Sequence, residues 1–175
     1  MGLVIEIPDP CLVVLVGAAG AGKSTLAGRH FGPEEILSSD AYRGILTGDE
    51  ADQRLNRVAF SILHRELERR LAAGRMTVVD ATSVTSGARR QFLRRASRHR
   101  VPAVAIVLDL DPAIVLARNA SRADRVVPTF AVRRQLGDVA RSLGRGELDA
   151  EGFSAIHHVR TPEDLDRLEI RRVRA

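Results

Sequence analysis

Short apolar runs separated by stretches of helical periodicity organise the chain. Leu12 to Val16 contains no polar side chain and predicts a strand buried on both faces, as in a parallel sheet. Ile36-Leu37-Ser38-Ser39, Met76-Thr77-Val78-Val79-Asp80, Val101 to Leu110 and Phe153 to Val159 read as further strands, with room for a helix between each successive pair. Thr25 to Phe31 is a short helix stopped by Gly32-Pro33. Leu55, Phe60, Leu63, Leu67 and Leu71 recur at helical spacing, and Gly74 closes that helix as a C-cap glycine would. His64 in this helix reads as a surface or packing residue. Arg89 to Arg100 is a helix dense in arginine and is expected on the outside. Asp111-Pro112 starts a helix with proline at its first position, and Pro128 opens another over Phe130, Val132, Leu136 and Val139 that Gly144 and Gly146 end. Thr161 to Ile170 supplies a closing helix or turn, and the run to Val173 allows a terminal strand. Strands alternating with helices predict a three-layer α/β domain with a mainly parallel, roughly five-stranded sheet.

The turn after the first strand changes the picture from fold to chemistry. Gly17-Ala18-Ala19-Gly20-Ala21-Gly22-Lys23-Ser24 fits G-x-x-x-x-G-K-[ST] without mismatch, with Thr25 next. Glycines at 17, 20 and 22 let successive backbone N–H groups aim inward, and the helix that follows adds its positive N-terminus, so two fields favour an anion. Lys23 would reach the β- and γ-phosphates of ATP or another nucleoside triphosphate, and the Ser24 hydroxyl would ligate Mg²⁺. Composition supports this. Of 27 basic residues, Lys23 is the only lysine and 26 are arginine, so the single compact ammonium stands in the phosphate slot.

Length and composition narrow the class. A chain of 175 residues suits one domain with one core, spanning 1–175. A single cysteine excludes an internal disulfide and agrees with a reducing, cytoplasmic setting; Cys11 opens the buried strand and reads as a core residue. The N-terminal segment lacks a positive n-region, carries Glu6 and Asp9, and runs straight into the phosphate loop, which argues against a signal peptide. No apolar stretch approaches the roughly 20 residues that span a bilayer. A net charge of +5 and a pI near 10.7 favour a polyanionic partner.

Acids and arginines at strand ends supply the remaining candidates. Asp40 stands after the second strand, where ligands of open α/β sheets lie, and Arg43 is one helical turn on. A carboxylate there can accept the proton of an attacking hydroxyl, or Asp40 can cap the helix from Ala41, and both roles can hold together. Asp80 ends the third strand, where an acid can hold Mg²⁺ through water, cap the next segment or bond near Ser24. Arg118, Arg122 and Arg125 fall at i, i+4 and i+7 down and just past one helix. They form either a charged outer face or a lid, about residues 118–145, whose guanidiniums clamp phosphates.

These stretches resemble the kinase module of bacterial polynucleotide kinase-phosphatases, enzymes of RNA repair, within the P-loop phosphotransferase superfamily. The likeness runs in order through GAAGAGKST, ILSSDAYRG, the acidic GDEADQ stretch, TVVDATSV and ARNASRADR, and covers nearly all of the chain. The resemblance implies transfer of the γ-phosphate of a nucleoside triphosphate to a 5′-hydroxyl end of RNA or DNA. It implies Asp40 as general base, Arg43 as its partner at the acceptor end, Lys23 and Arg118 on the phosphates, and Arg122 and Arg125 in the lid. Ser83 stands where the family more usually has Asn. Phosphatase or ligase modules, covalent or separate, are the implied partners. Two other readings use the same residues: a kinase of a small hydroxyl compound such as a sugar, nucleoside or antibiotic, and a nucleotide-binding regulatory ATPase.

Overall fold

The computed structural model describes residues 2–48, 56–123 and 125–174. The strands are β1 Val4–Asp9, β2 Leu12–Val16, β3 Ile36–Ser38, β4 Thr77–Asp80, β5 Ala103–Leu108, β6 Ala155–Val159 and β7 Glu169–Arg174. The helices are α1 Lys23–His30, α2 Ser39–Thr47, α3 Asn56–Ala72, α4 Ser86–Arg98, α5 Pro112–Ala120, α6 Thr129–Gly144, α7 Glu147–Ala150 and α8 Pro162–Asp166.

Five strands form one parallel sheet in the order β3-β4-β2-β5-β6, as the apolar runs predict. The middle strand β2 is the phosphate-loop strand, and every one of its residues is buried. Because side chains alternate across a strand, β2 serves two cores at once. Val13 and Leu15 join Leu26 of α1, Val115 of α5 and Val132 of α6 on one face. Leu12, Val14 and Val16 join Leu63, Leu67 and Leu71 of α3 and Phe92 of α4 on the other. The layers are therefore helix, sheet, helix. Parallel strands also bring all carboxyl ends to the same edge, so the residues after β2, β3 and β4 must meet there.

No apolar run before Leu12 predicts a strand. Val4 to Ile7 nevertheless alternates exposed and buried, and β1 pairs in parallel with the terminal strand β7 in a separate two-stranded ribbon. Ile5 and Ile7 drop into the first core, and Arg172 of β7 donates two hydrogen bonds of 2.7 Å to Glu35. Cys11 is fully buried, and burial pushes its thiol up to about 12, which leaves it inert. Among the described residues no helix is long and apolar enough to cross a membrane.

Candidate active site

The loop between β2 and α1 takes its shape from the glycines. Gly20 and Gly22 have φ of 87° and 101°, which L side chains rarely adopt. A Cβ at Gly20 would also sit 2.7 Å from the Val115 carbonyl oxygen, and one at Gly22 2.7 Å from Leu165 Cδ2. The loop is held from the sheet by Gly17 N–H, which donates to the Thr82 carbonyl at 3.0 Å. Helix α1 begins at Lys23, two residues before the expected Thr25, so Lys23, Ser24 and Thr25 all lie in its first turn. Ala18, Ala19 and Ala21 are buried beneath the loop, while Ser24 and Thr25 are exposed to the cleft above it.

Lys23 is almost fully buried and its Nζ donates to the Ala18 carbonyl at 2.9 Å. Burial pushes its pKa down to about 8; Asp80 opposes that shift, and Arg122 and Arg125 add to it. The ammonium is thus held at the loop in a site that gains from an added anion. Asp80 ends β4, is 7% exposed and lines the same cleft.

Ser38, not Asp40, caps α2: the Ser38 hydroxyl accepts from Ala41 N–H. That leaves the Asp40 carboxylate for the cleft. Its Oδ1 accepts from Arg43 and its Oδ2 from Arg125, which reaches it from the other side of the sheet edge. Arg43 is 3% exposed and also donates to Asn56 Oδ1 at 3.0 Å. Arg118 is in the last turn of α5, and Arg122 and Arg125 follow the end of that helix. All three line the cleft, so the outer-face alternative does not describe them. The cleft measures about 680 Å³. Among the described residues its lining carries six cations, Lys23, Arg43, Arg118, Arg122, Arg125 and Arg134, against the carboxylates of Asp40, Asp80 and Asp166. Such a surplus in a concave site focuses a field that attracts polyanions.

Three contributors were not read from the sequence. Asn119, 2% exposed, donates to the Val127 carbonyl at 2.8 Å and accepts from Val127 N–H at 3.1 Å. This paired bond fixes the root of the segment that carries Arg122 and Arg125. Gln135 of α6 accepts from Ala19 N–H at 2.8 Å, so α6 touches the phosphate loop itself. Arg89 was expected on an outer helix face but is fully buried, pinned to Glu151 and Ser142 and to the carbonyls of Ser83 and Val84. It fastens the end of α6 to the loop after β4, where Ser83 has φ 47°. The acidic stretch Asp49–Gln53 lies outside the described residues.

The family follows from the matching span. The chain belongs to the AAA domain family. The AAA_33 family model matches residues 12–145, from the phosphate-loop strand through the end of α6. No curated protein matches the sequence. Among solved structures the chain is similar to a chain of the Pnkp1/Rnl/Hen1 RNA repair complex, with TM-score 0.68 and 19% identity. That match covers 78% of this chain and 46% of the other, so this chain spans about half the length of that relative. It is similar to a gluconokinase from Sinorhizobium meliloti at TM-score 0.55 and 18% identity, covering 91% of this chain and 87% of that one. A shikimate kinase from Acinetobacter baumannii gives TM-score 0.53 and 22% identity over 90% and 88% of the two chains. The fold of this chain is the P-loop kinase fold.

Proposed function

We propose that the chain is a 5′-OH polynucleotide kinase, transferring the γ-phosphoryl group of ATP or another nucleoside triphosphate to a 5′-hydroxyl end of RNA or DNA. The observation that carries the reading is the Asp40 carboxylate, released from capping by Ser38 and held between Arg43 and Arg125 in the cleft of the phosphate loop. The ARNASRADR and SSDAYRG stretches and the net positive charge support a polynucleotide acceptor.

The residues present fit a triphosphate. Within the loop the N–H groups of Gly17, Ala19 and Ala21 donate to Thr82, Gln135 and Ala18, so the remaining loop N–H groups and the first turn of α1 would meet the phosphates, on a backbone path that a side chain at Gly20 or Gly22 would push into Val115 or Leu165. Lys23 and Arg118 oppose the charge on the transferring group, and Arg122 and Arg125 close over it as part of a lid of about residues 118–145, within one kinase domain of residues 1–175. Mg²⁺ would be held by Ser24 directly and Asp80 through water, together with phosphate oxygens, and would neutralise charge on the leaving diphosphate. In the transfer the acceptor oxygen bonds to the γ-phosphorus and its proton passes to Asp40. The bond from that phosphorus to the β–γ bridging oxygen breaks, and the nucleoside diphosphate keeps the electron pair. Arg43 holds Asp40 aimed into the cleft. A carboxylate has more lone pairs than two arginines occupy, and moving Arg125 from Oδ2 to phosphate would leave that oxygen for the proton. Action in the cytoplasm beside phosphatase or ligase modules completes the proposal.

One observation favours a second reading. The gluconokinase and shikimate kinase match this chain over nearly their whole lengths, so a small hydroxyl compound as acceptor fits its size. An acceptor panel separates the two: γ-labelled ATP with Mg²⁺, offered a 5′-OH RNA, a 5′-OH DNA, gluconate and shikimate. Label on the oligonucleotides alone is expected. Label on a small acceptor, with none on either oligonucleotide, would replace the proposal with the second reading.

A further inference from the structure

A second depression lies in the valley between α3 and α4, enclosing about 790 Å³. Arg57 and Arg65 line it from α3, and Arg95 and Arg98 from α4. Glu68 is the one carboxylate on its walls among the described residues. That carboxylate is shared by Arg95 at 3.5 Å, Arg98 at 3.1 Å and His99 at 2.7 Å. Arg57 and Arg65 are exposed and make no ion pair among the described residues. Between these cations lie Phe60 and His64, one helical turn apart, their rings 6.3 Å from each other; the His64 ring is 5.2 Å from the Phe92 ring. Burial holds His64 down to about 4, so its ring is neutral and behaves as an aromatic surface at neutral pH.

Two features connect the groove to the cleft. Phe60 lines both. Asn56 of α3 is also bonded to Arg43, the residue that holds Asp40. The groove therefore leaves the cleft at its Asp40 side, not at the phosphate loop. We propose that the α3–α4 groove is the track for the acceptor strand beyond its 5′-terminal nucleotide, with phosphates beside Arg57, Arg65, Arg95 and Arg98 and bases against Phe60 and His64. This rests on the polynucleotide kinase reading above. Cations that follow a backbone, interleaved with aromatic faces that take any base, are the means by which proteins hold single strands without reading sequence. Arg57 and Glu68 are roughly 16 Å apart along α3 at 1.5 Å per residue, so the groove reaches past the first nucleotide. A small acceptor would need nothing outside the cleft.

The test compares Arg57→Ala/Arg65→Ala with Arg90→Ala/Arg94→Ala, a pair of exposed α4 arginines outside the groove, so both variants lose the same charge. Each is assayed with a 5′-OH ten-nucleotide strand and with a nucleoside 3′-monophosphate across a salt series. The groove variant should raise KM for the ten-nucleotide strand about tenfold with kcat unchanged, and leave the nucleoside 3′-monophosphate unaffected. Its log KM against log salt should flatten by about 1.4, from roughly 0.7 per lost phosphate contact on a single strand. The control variant should change none of these. Equal KM increases in both variants, or no change in the groove variant while wild type still labels oligonucleotides, would overturn the track and leave the kinase reading standing. Absence of label on any oligonucleotide with wild-type protein would overturn both.

Discussion

Arg89 of α4 and Arg118 of α5, on opposite faces of the sheet, are the same side chain put to two uses. Every N–H of the Arg89 guanidinium is spent: Nε and Nη2 donate to Glu151 at 2.7 Å, Nη2 also to Ser142, and Nη1 to the Ser83 and Val84 carbonyls. Its counter-charge, Glu151, is itself 3% exposed. Arg118 lines an open cleft where, among the described residues, six cations face three carboxylates. A dry, saturated guanidinium is an anchor, because nothing further can bind it and removing it strands a buried carboxylate. A guanidinium on the wall of an open cleft, by contrast, stands where an arriving anion can reach it. The difference lies in the partners and not in the residue type, which is why arginine-rich composition alone says so little about function.

Breaking each half of the comparison should give opposite results. The largest effect is expected from Arg89→Met. Losing one partner of a buried ion pair costs about 3–5 kcal/mol, read by urea unfolding, while the folded fraction keeps its transfer rate within roughly twofold. Arg89→Lys should rescue little, since an ammonium cannot supply the bidentate contact to Glu151. Arg118→Ala should do the reverse. Unfolding free energy stays within about 0.5 kcal/mol, while kcat falls about 10²–10³, as for removal of one preorganised transition-state donor. If Arg118→Ala instead lowers stability and leaves kcat alone, the cleft arginines are structural after all.

A smaller effect sharpens the cleft side. Burial lowers the Lys23 pKa to about 8, and a bound polyphosphate needs the ammonium form. The unliganded lysine loses its proton as pH rises through 8, so nucleotide affinity is flat below that pH. Above it affinity declines by about tenfold per pH unit, with one proton taken up on binding. Calorimetry in buffers of different ionisation enthalpy reads both. A lysine with an ordinary pKa would keep affinity flat to about pH 10.

Much of this was legible before the structure. β2 and β5 are unbroken apolar runs, and the phosphate loop follows from glycine spacing at the end of β2; β3 and β6 are weaker signals, with Ser38 in one and His157 and His158 in the other. β1 was missed because only two of its residues, Ile5 and Ile7, reach the core, and its partner β7 lies at the other end of the chain. Arg89 was unreadable for a related reason: it is one arginine among many on α4, and the Glu151 that draws it inward is 62 residues away. Capping by Ser38 was a local choice that spacing left open, since serine and aspartate both favour the position. The arginines after α5 could be grouped by period, but the approach of Arg125 to Asp40 across 85 residues depends on Asn119 and Val127 fastening the loop. Gln135 carried no signal at all, because a polar residue on an amphipathic helix is the expected outward choice.

The most direct test of the account is single-turnover transfer from γ-labelled ATP to a 5′-OH oligonucleotide by Asp40→Asn, with nucleotide affinity measured on the same protein. Transfer should fall by about 10²–10⁴, the range for loss of a general base, with nucleotide affinity within roughly threefold of wild type. Transfer at the wild-type rate, or a loss matched by an equal loss of nucleotide binding, would contradict Asp40 as the group that takes the proton.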